Sequence, residues 1–354
     1  MPVYRRTPED FEVEEVLAYE PSGVGDHTYV LVEKRERTSE QVARELARAA
    51  SCRASEVGYA GRKDRYAVAR QWFSAPGLPV PGAEQLELEG ARVLAVHRHP
   101  HRLRTGKLRA NRFRLVVRDV ETGSIPQLEG RLAALARWGF VNRYGDQRFG
   151  RAGDNAERGL ELLQGKARQR DRRAARFLVS SVQSAVFNRL VARRGALFDG
   201  APVGLDSAGS RPVDRLLAGD LAVKEASGGV FEVLDVGAEQ VRADAGEISP
   251  TGLLFGRKAR LAKGAAGELE SSVLAEWRLE QAPRLPGLRF DGARRSLRAR
   301  PVDLEGRFAV DVLTLRFELG SGCYASVLLE ELFEGLGLEE ADHPPRAGGS
   351  PTGC

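Results

Sequence analysis

Hydrophobic and polar positions alternate with a period of two at several places along the chain. In FEVEEV, Phe11 and Val13 alternate with glutamates, and HTYVLVEK (His27 to Lys34) is β-branched and aromatic, so both predict strands. The run TSEQVARELARAA switches to a helical period. Thr38 with Gln41 forms a capping-box signature, and Val42 and Leu46 fall one turn apart. RFRLVVRDV alternates Phe113, Leu115 and Val117 against Arg112, Arg114 and Val116, which predicts a strand with a strongly basic face. Such a face either meets a polyanion or keeps a sheet edge soluble. In FLVSSVQSAVFNRLVARR, Val179, Val182, Val186 and Leu190 recur at helical intervals. A Gly/Ser/Asp-rich region of short strands follows, including GDLAVKEASGGVFEVLDV, with ISPTGLLFGRK reading as a loop. VDVLTLRFEL then alternates cleanly and SVLLEELFEGLG reads as a helix, before a closing stretch, DHPPRAGGSPTGC, expected to be disordered. No internal repeat or heptad seam is present. The order of these patterns predicts one α/β domain interrupted by a second.

Composition narrows the class. A chain of 354 residues, 42% hydrophobic and 29% charged, can bury a sizeable core. No run approaches the roughly 18 apolar residues of a membrane span. Cys52, Cys323 and Cys354 stand too far apart for a disulfide framework or a CxxC metal pair, so a reducing, cytoplasmic compartment is expected. The net charge of +5 is modest but unevenly spread. HRHPHRLRTGKLRANRFR (His97 to Arg114) holds seven Lys/Arg, three His and no acid, and KARQRDRRAAR (Lys166 to Arg176) is a second basic run. Runs of this kind attract phosphate backbones by counterion release, which favours a polyanionic partner over a merely solvated surface. His97, His99 and His101 could share one face of a strand, and the arginine between each pair favours a basic RNA-facing edge over a zinc site.

One stretch carries candidate chemistry. GYAGRKDRYAVARQWFS sets a single carboxylate, Asp64, among Arg62, Lys63, Arg65 and Arg70. GxxxxGK[ST] and a helix-opening GxGxxG are absent from the chain, as are HExxH and any close His/Cys or carboxylate cluster. Nucleophilic or general-base work remains for Asp64. Neighbouring guanidinium groups favour an ionised carboxylate, which can add to an electrophilic carbon. A turn aspartate bonded to Arg62 or Arg65 is the plain structural alternative.

The same stretch resembles the signature loop of the TruD family of tRNA pseudouridine synthases, whose K-D-R/K-H/Y-A core carries a catalytic aspartate. TPEDFEVEEV and GVGDHTYVLVEK resemble the family's N-terminal P-x-D-F-x-V-x-E and G-x-G-E/D-H segments. LRTGKLRANRFRLVV resembles its L-x-x-G-x-L-x-x-N-x-F strand, and FVNRYGDQRFGRAGDN its asparagine-led G-x-Q-R-F-G motif. FLVSSVQSAVFNRLVARR, ISPTGLLFG and LGSGCYASVLLEELF correspond to later segments, so the resemblance runs through nearly the whole chain in order.

The resemblance implies an α+β fold: a pseudouridine synthase catalytic domain with a mixed, largely antiparallel sheet, built from 1–165 together with 302–354. An inserted α/β TRUD domain would occupy 166–301, the two forming a cleft, with a disordered tail from about 342. It implies Asp64 as the nucleophile and places Arg5 where relatives often have a lysine that ion-pairs with it. Phe11 and Asn142 fall on base-contacting positions, Tyr144 on a stacking position and Tyr324 in the pocket wall, with Cys323 as a small neighbour. Gln147, Arg148 and Phe149 read equally as scaffold or as RNA-backbone contacts. From the basic run, Arg102, Arg104, Lys107 and Arg109 are expected to hold the RNA backbone. The implied activity is isomerisation of uridine to pseudouridine in transfer RNA, at uridine-13 of the D arm, by a monomer that needs no metal and no cofactor. A non-catalytic RNA-binding or chaperone protein, or a synthase with another RNA target, stands as the alternative. A metal-dependent nuclease would need clustered carboxylates that the chain does not offer.

Overall fold

A computed structural model describes residues 1–150, 152–198, 214–279 and 290–341. The expected disordered tail lies outside the described residues. The first part of the chain forms β1 (Val3–Tyr4), β2 (Phe11–Leu17), β3 (His27–Arg35), α1 (Ser39–Ala49), β4 (Gly58–Tyr59), β5 (Val68–Pro76), β6 (Ala91–His99), β7 (Leu108–Arg118) and α2 (Ile125–Trp138). The middle forms β8 (Phe140–Val141), α3 (Asn155–Leu163), α4 (Arg172–Ala196), β9 (Leu221–Lys224), β10 (Val230–Glu232), α5 (Val236–Asp244), β11 (Ile248–Leu254), α6 (Gly264–Glu276), β12 (Ala293–Ser296) and β13 (Arg298–Ala299). The last part forms β14 (Val302–Ala309), β15 (Val312–Gly320), α7 (Ala325–Leu332) and β16 (Glu339–Glu340). No described helix is long and apolar enough to cross a membrane.

Contacts group the chain into two compact units. One comprises Met1–Arg137, Pro301–Gly322 and Leu332–Cys354; the other comprises Trp138–Arg300 and Cys323–Glu331. The boundary between units thus falls at 137/138, whereas the sequence places the start of an insertion at 166.

The first unit is built on a mixed sheet with strand order β14-β15-β7-β2-β5-β3-β6. β2 and β5 run parallel, as do β1 and β16, and the other pairs are antiparallel. Helix α1 is capped as its sequence predicts: Thr38 accepts from the Gln41 amide, and the Gln41 side chain accepts from the Thr38 amide. Its Val42, Ala43, Leu46 and Ala47 pack on Val30, Val32, Phe73 and Ala75 of the sheet. The basic face of β7 is neither an edge nor a free patch. β7 lies between β15 and β2, and register sets Arg112 beside Glu14 and Glu318 and Arg114 beside Glu12. Their ion pairs neutralise that face.

In the second unit the sheet order is β10-β9-β11-β12. α4 packs Val179, Val182, Val186 and Leu190 against Leu253, Phe255, Leu269 and Val273. Gly159 lets α3 lie close on α4, since a Cβ there would stand 2.2 Å from the Leu178 carbonyl oxygen. ISPTGLLFG is not a loop: Ile248–Leu254 forms the buried strand β11. Proline normally interrupts an interior strand. Here β11 pairs with β9 through Ile248–Pro250 and with β12 from Thr251 onward, so Pro250 stands where one ladder ends and the next begins.

Candidate active site

The first unit positions Asp64. Its loop precedes β5 and rests on a row of polar side chains at inward-facing strand positions. Asn111 of β7 pairs with Glu15 of β2, and Gln71 of β5 donates to the Glu15 carboxylate at 3.2 Å. Glu15 also accepts from the Trp72 amide and forms an ion pair with Lys63 at 3.2 Å. Burial pushes the Glu15 carboxyl up, partly offset by Lys63. Lys63 donates to Asn111 as well, and its backbone amide donates to Ser39 Oγ. Gln71 donates to the Gly61 carbonyl at 2.6 Å. Lys34 closes the underside: its fully buried Nζ donates at 2.7 Å to the carbonyls of both Arg37 and Asp64. Burial brings the Lys34 ammonium down to about 8, with the Asp64 carboxylate acting in the opposite direction. Gly58 admits the neighbouring chain, since a Cβ there would stand 2.2 Å from the Leu103 carbonyl oxygen.

The loop's own cations are engaged elsewhere. Arg62 pairs with Glu40, Lys63 with Glu15, and Arg70 with Glu12, Glu14 and Glu33, while Arg65 donates to the Glu36 carbonyl. The group that meets Asp64 is Arg5, 59 residues away, whose Nη2 donates to Asp64 Oδ2 at 2.6 Å. Arg5 Nη1 donates to Glu340 Oε1 at 2.7 Å, and Tyr4 Oη donates to Glu340 Oε2 at 2.8 Å. Burial alone would lower Arg5, but the Asp64 and Glu340 carboxylates outweigh it and leave it raised. Arg5 holds a left-handed backbone, φ 59°, a conformation costing about 1–2 kcal/mol for a residue with a Cβ. Its guanidinium lies 3.8 Å from the Phe11 ring centroid. The Phe11 ring is 4% exposed and packs edge-on against Phe113. Phe11 therefore carries the Arg5 guanidinium on its ring face. Asp64, by contrast, keeps 38% of its side chain exposed beside an almost fully buried Arg5.

Asn142, Tyr144 and Tyr324 come together in the second unit. Tyr144 and Tyr324 meet edge-to-face with centroids 5.7 Å apart, and Tyr144 also packs edge-on against Phe187. Asn188 of α4 clamps the Tyr144 backbone, accepting from its amide and donating to its carbonyl, both at 2.8 Å. Arg295 lies 4.2 Å from the Tyr144 centroid and donates to the Asn142 side-chain oxygen and carbonyl. The Asn142 amide nitrogen donates to the Ser296 carbonyl at 2.9 Å. Asn142 is 6% exposed and both its amide functions are engaged, the oxygen by Arg295 and the nitrogen by the Ser296 carbonyl. Arg148 donates to Ser180 and Ser184 of α4. Burial pushes the Cys323 thiol up, away from the reactive thiolate.

The residues expected on the RNA backbone divide in two. Arg102 donates to the Val57 carbonyl and Arg109 pairs with Glu318 at 3.3 Å. Arg104 and Lys107 are exposed, and among the described residues neither side chain has a carboxylate partner. No group of three or more His, Cys, Asp or Glu among the described residues is placed to hold a metal ion.

Sequence reading missed Lys34, Glu15, Asn111, Glu340, Asn188 and Arg295. A signal existed for two of them. With a period of two, Lys34 falls on the inward side of β3 with Val30 and Val32, and Glu15 on that of β2 with Phe11 and Val13. A charge at a core-facing position requires a partner.

A family model described as tRNA pseudouridine synthase D (TruD) matches residues 3–172 and 168–332. The chain belongs to this family. It is 41% identical over 346 residues to a tRNA pseudouridine synthase D of Anaeromyxobacter sp. (strain Fw109-5), covering 96% of this chain and 94% of the relative. It is 42% identical over 341 residues to a Thermus thermophilus protein of the same name, covering 96% and 90%. A crystal structure from Methanosarcina mazei carrying the TruD name shares the fold at a TM-score of 0.67 and 21% identity, over 93% of this chain and 92% of that one. The fold is accordingly the α+β pseudouridine synthase fold of the TruD family.

Proposed function

We propose that this protein converts a uridine of transfer RNA to pseudouridine, at uridine-13 of the D arm, with Asp64 as the nucleophile. The observation that carries this reading is the half-exposed Asp64 carboxylate held by a buried arginine, on a loop anchored from beneath. A uridine in folded RNA must leave the stack before its glycosidic bond can be reached. Asp64 then attacks either C6 of the base or C1′ of the sugar. The C1′–N1 bond breaks, the uracil turns, C5 bonds to C1′, the C5 proton leaves while N1 takes one up, and the bond to Asp64 breaks to return the free carboxylate. Atoms and charge balance with no group donor and no redox change. Arg5 orients the carboxylate, and the family motifs around Tyr144 and Tyr324 are what assign them to the aromatic contacts of the base.

The test is conversion of unmodified tRNA transcripts by the purified protein, followed by pseudouridine mapping. Pseudouridine at position 13 supports the reading; tight binding without any pseudouridine would leave an RNA-binding role instead. Conversion at another position would reassign the target.

The stacking role has its own check. Base–aromatic stacking is worth about 1–3 kcal/mol and needs no hydroxyl. Tyr144→Phe is therefore expected to keep its single-turnover rate within a few fold, whereas Tyr144→Ala should lose roughly 10- to 100-fold in catalytic efficiency. Equal losses in both variants, with melts showing folded protein, would point to proton transfer by the phenol.

A further inference from the structure

At the His27 end of β3 the first unit holds an open basin of about 710 Å³. Its wall carries His27, His99, His101, Arg102, Arg104 and Lys107, with Tyr19 on one side and Glu20 as an acid of the lining. Tyr19 stacks on His99 at 5.0 Å, and Tyr29 bonds both the Tyr19 hydroxyl and the His101 carbonyl, so the floor is cross-braced by its own side chains. His27 Nδ1 is buried there without a hydrogen-bond partner. Burial holds His27 and His99 below the usual histidine range, so the lasting charge comes from the arginines and lysine.

Elsewhere on the sheet Arg70, Arg112 and Arg114 are neutralised by Glu12, Glu14, Glu33 and Glu318. In the basin Arg104 and Lys107 keep their charge unspent. The basin lies away from the chemistry. His27 and Lys34 stand at opposite ends of β3, about 23 Å apart at roughly 3.3 Å per residue. Between them the loop bearing Arg104 and Lys107 is tied by Gly106, whose amide donates to the carbonyl of Ala60, just before the Asp64 loop.

We propose that this basin is a distal RNA subsite, holding phosphodiesters on Arg104 and Lys107 and a nucleoside face on the His101 and Tyr19 rings. This rests on the proposed function for the position of the reacting uridine. At 3.4 Å per step, about 23 Å corresponds to roughly seven nucleotides of stacked RNA. A substrate held in the basin must therefore extend several nucleotides beyond the reacting uridine.

The test compares two RNAs, a tRNA transcript and a stem-loop ending about three base pairs from the target uridine, with wild type and the exposed-site double variant Arg104→Gln/Lys107→Gln. On tRNA the double variant is expected to flatten the log–log salt slope of binding by about 1.4–1.8, since each phosphate contact contributes about 0.7–0.9. On the truncated RNA the two proteins should share one slope. His101→Ala should weaken tRNA binding about 10-fold and leave the truncated RNA within twofold. An unchanged slope on tRNA, or equal losses on both RNAs, would overturn the subsite. Conversion of the tRNA uridine by wild type is read separately: its failure would strike the proposed function while the slope comparison still decides the subsite.

Discussion

Asp64→Asn is expected to abolish isomerisation, by at least about 1,000-fold in single-turnover rate, while RNA affinity stays within a few fold. The amide keeps the side chain's size and can still accept from Arg5 at the oxygen now 2.6 Å away, so the loop's geometry survives. What disappears is the anionic oxygen that forms the covalent bond. The change also removes one of the two carboxylates facing Arg5, leaving Glu340 as its counter-ion, so only a modest drop in melting temperature is expected. Tritium release from 5-tritiated uridine RNA reads the chemistry directly. Turnover near that of wild type would remove Asp64 from the nucleophile's place.

Lys34→Met should produce the second largest effect, and magnitudes make it diagnostic. Methionine fills similar volume without charge. Lowering Lys34 from its ordinary 10.5 to about 8 amounts to a charge penalty of about 3 kcal/mol, which the variant no longer carries. Against that, the carbonyls of Arg37 and Asp64 lose their donor, at about 1–3 kcal/mol each. The two effects offset, so global stability should move little. The Asp64 loop, however, loses its anchor, and a displacement on the order of 1 Å can cost about 100-fold in rate. The expectation is a roughly 100-fold slower single turnover with a melting temperature within a few degrees of wild type. A rate within threefold of wild type would show that the anchor is dispensable; a collapsed melting temperature would make Lys34 a pillar of the fold instead.

Linkage supplies a second readout for the same variant. The folded lysine gives up its proton near pH 8 and the unfolded one near 10.5. Its penalty is in full force below pH 8 and relaxes as pH rises through that window, because the unfolded state then binds more protons. Lys34 thus contributes a rise in wild-type stability between about pH 8 and 10.5, and Lys34→Met should lack it.

Local patterns determined a good deal about this protein by themselves. The period of two in FEVEEV and HTYVLVEK, the Thr38–Gln41 cap, the helical spacing from Val179 to Leu190 and the isolated Asp64 are each written within a few neighbouring residues. They correspond to β2, β3, α1, α4 and an exposed carboxylate on a loop. ISPTGLLFG resisted because strand β11 divides its ladder between two partners at Pro250, and neither partner is adjacent in sequence.

Only the tertiary structure decided which charges remain available. In the sequence Asp64 is surrounded by cations, yet Arg62, Lys63 and Arg70 pair with other glutamates and a residue 59 positions away takes their place. Arg112 and Arg114 look like a nucleic-acid face until β2 and β15 bring glutamates beside them, whereas Arg104 and Lys107, in the same basic run, meet none among the described residues. Phe11 and Asn142 lie on motif positions, yet one is covered by Arg5 and the other is spent on Arg295 and Ser296. The physical reason is common to all of these. Periodicity and capping energies act between residues a turn or a pleat apart. The pairing of charges depends on strand register and on distant segments meeting, and an ion pair forms only where folding has already brought its partners within a few ångströms.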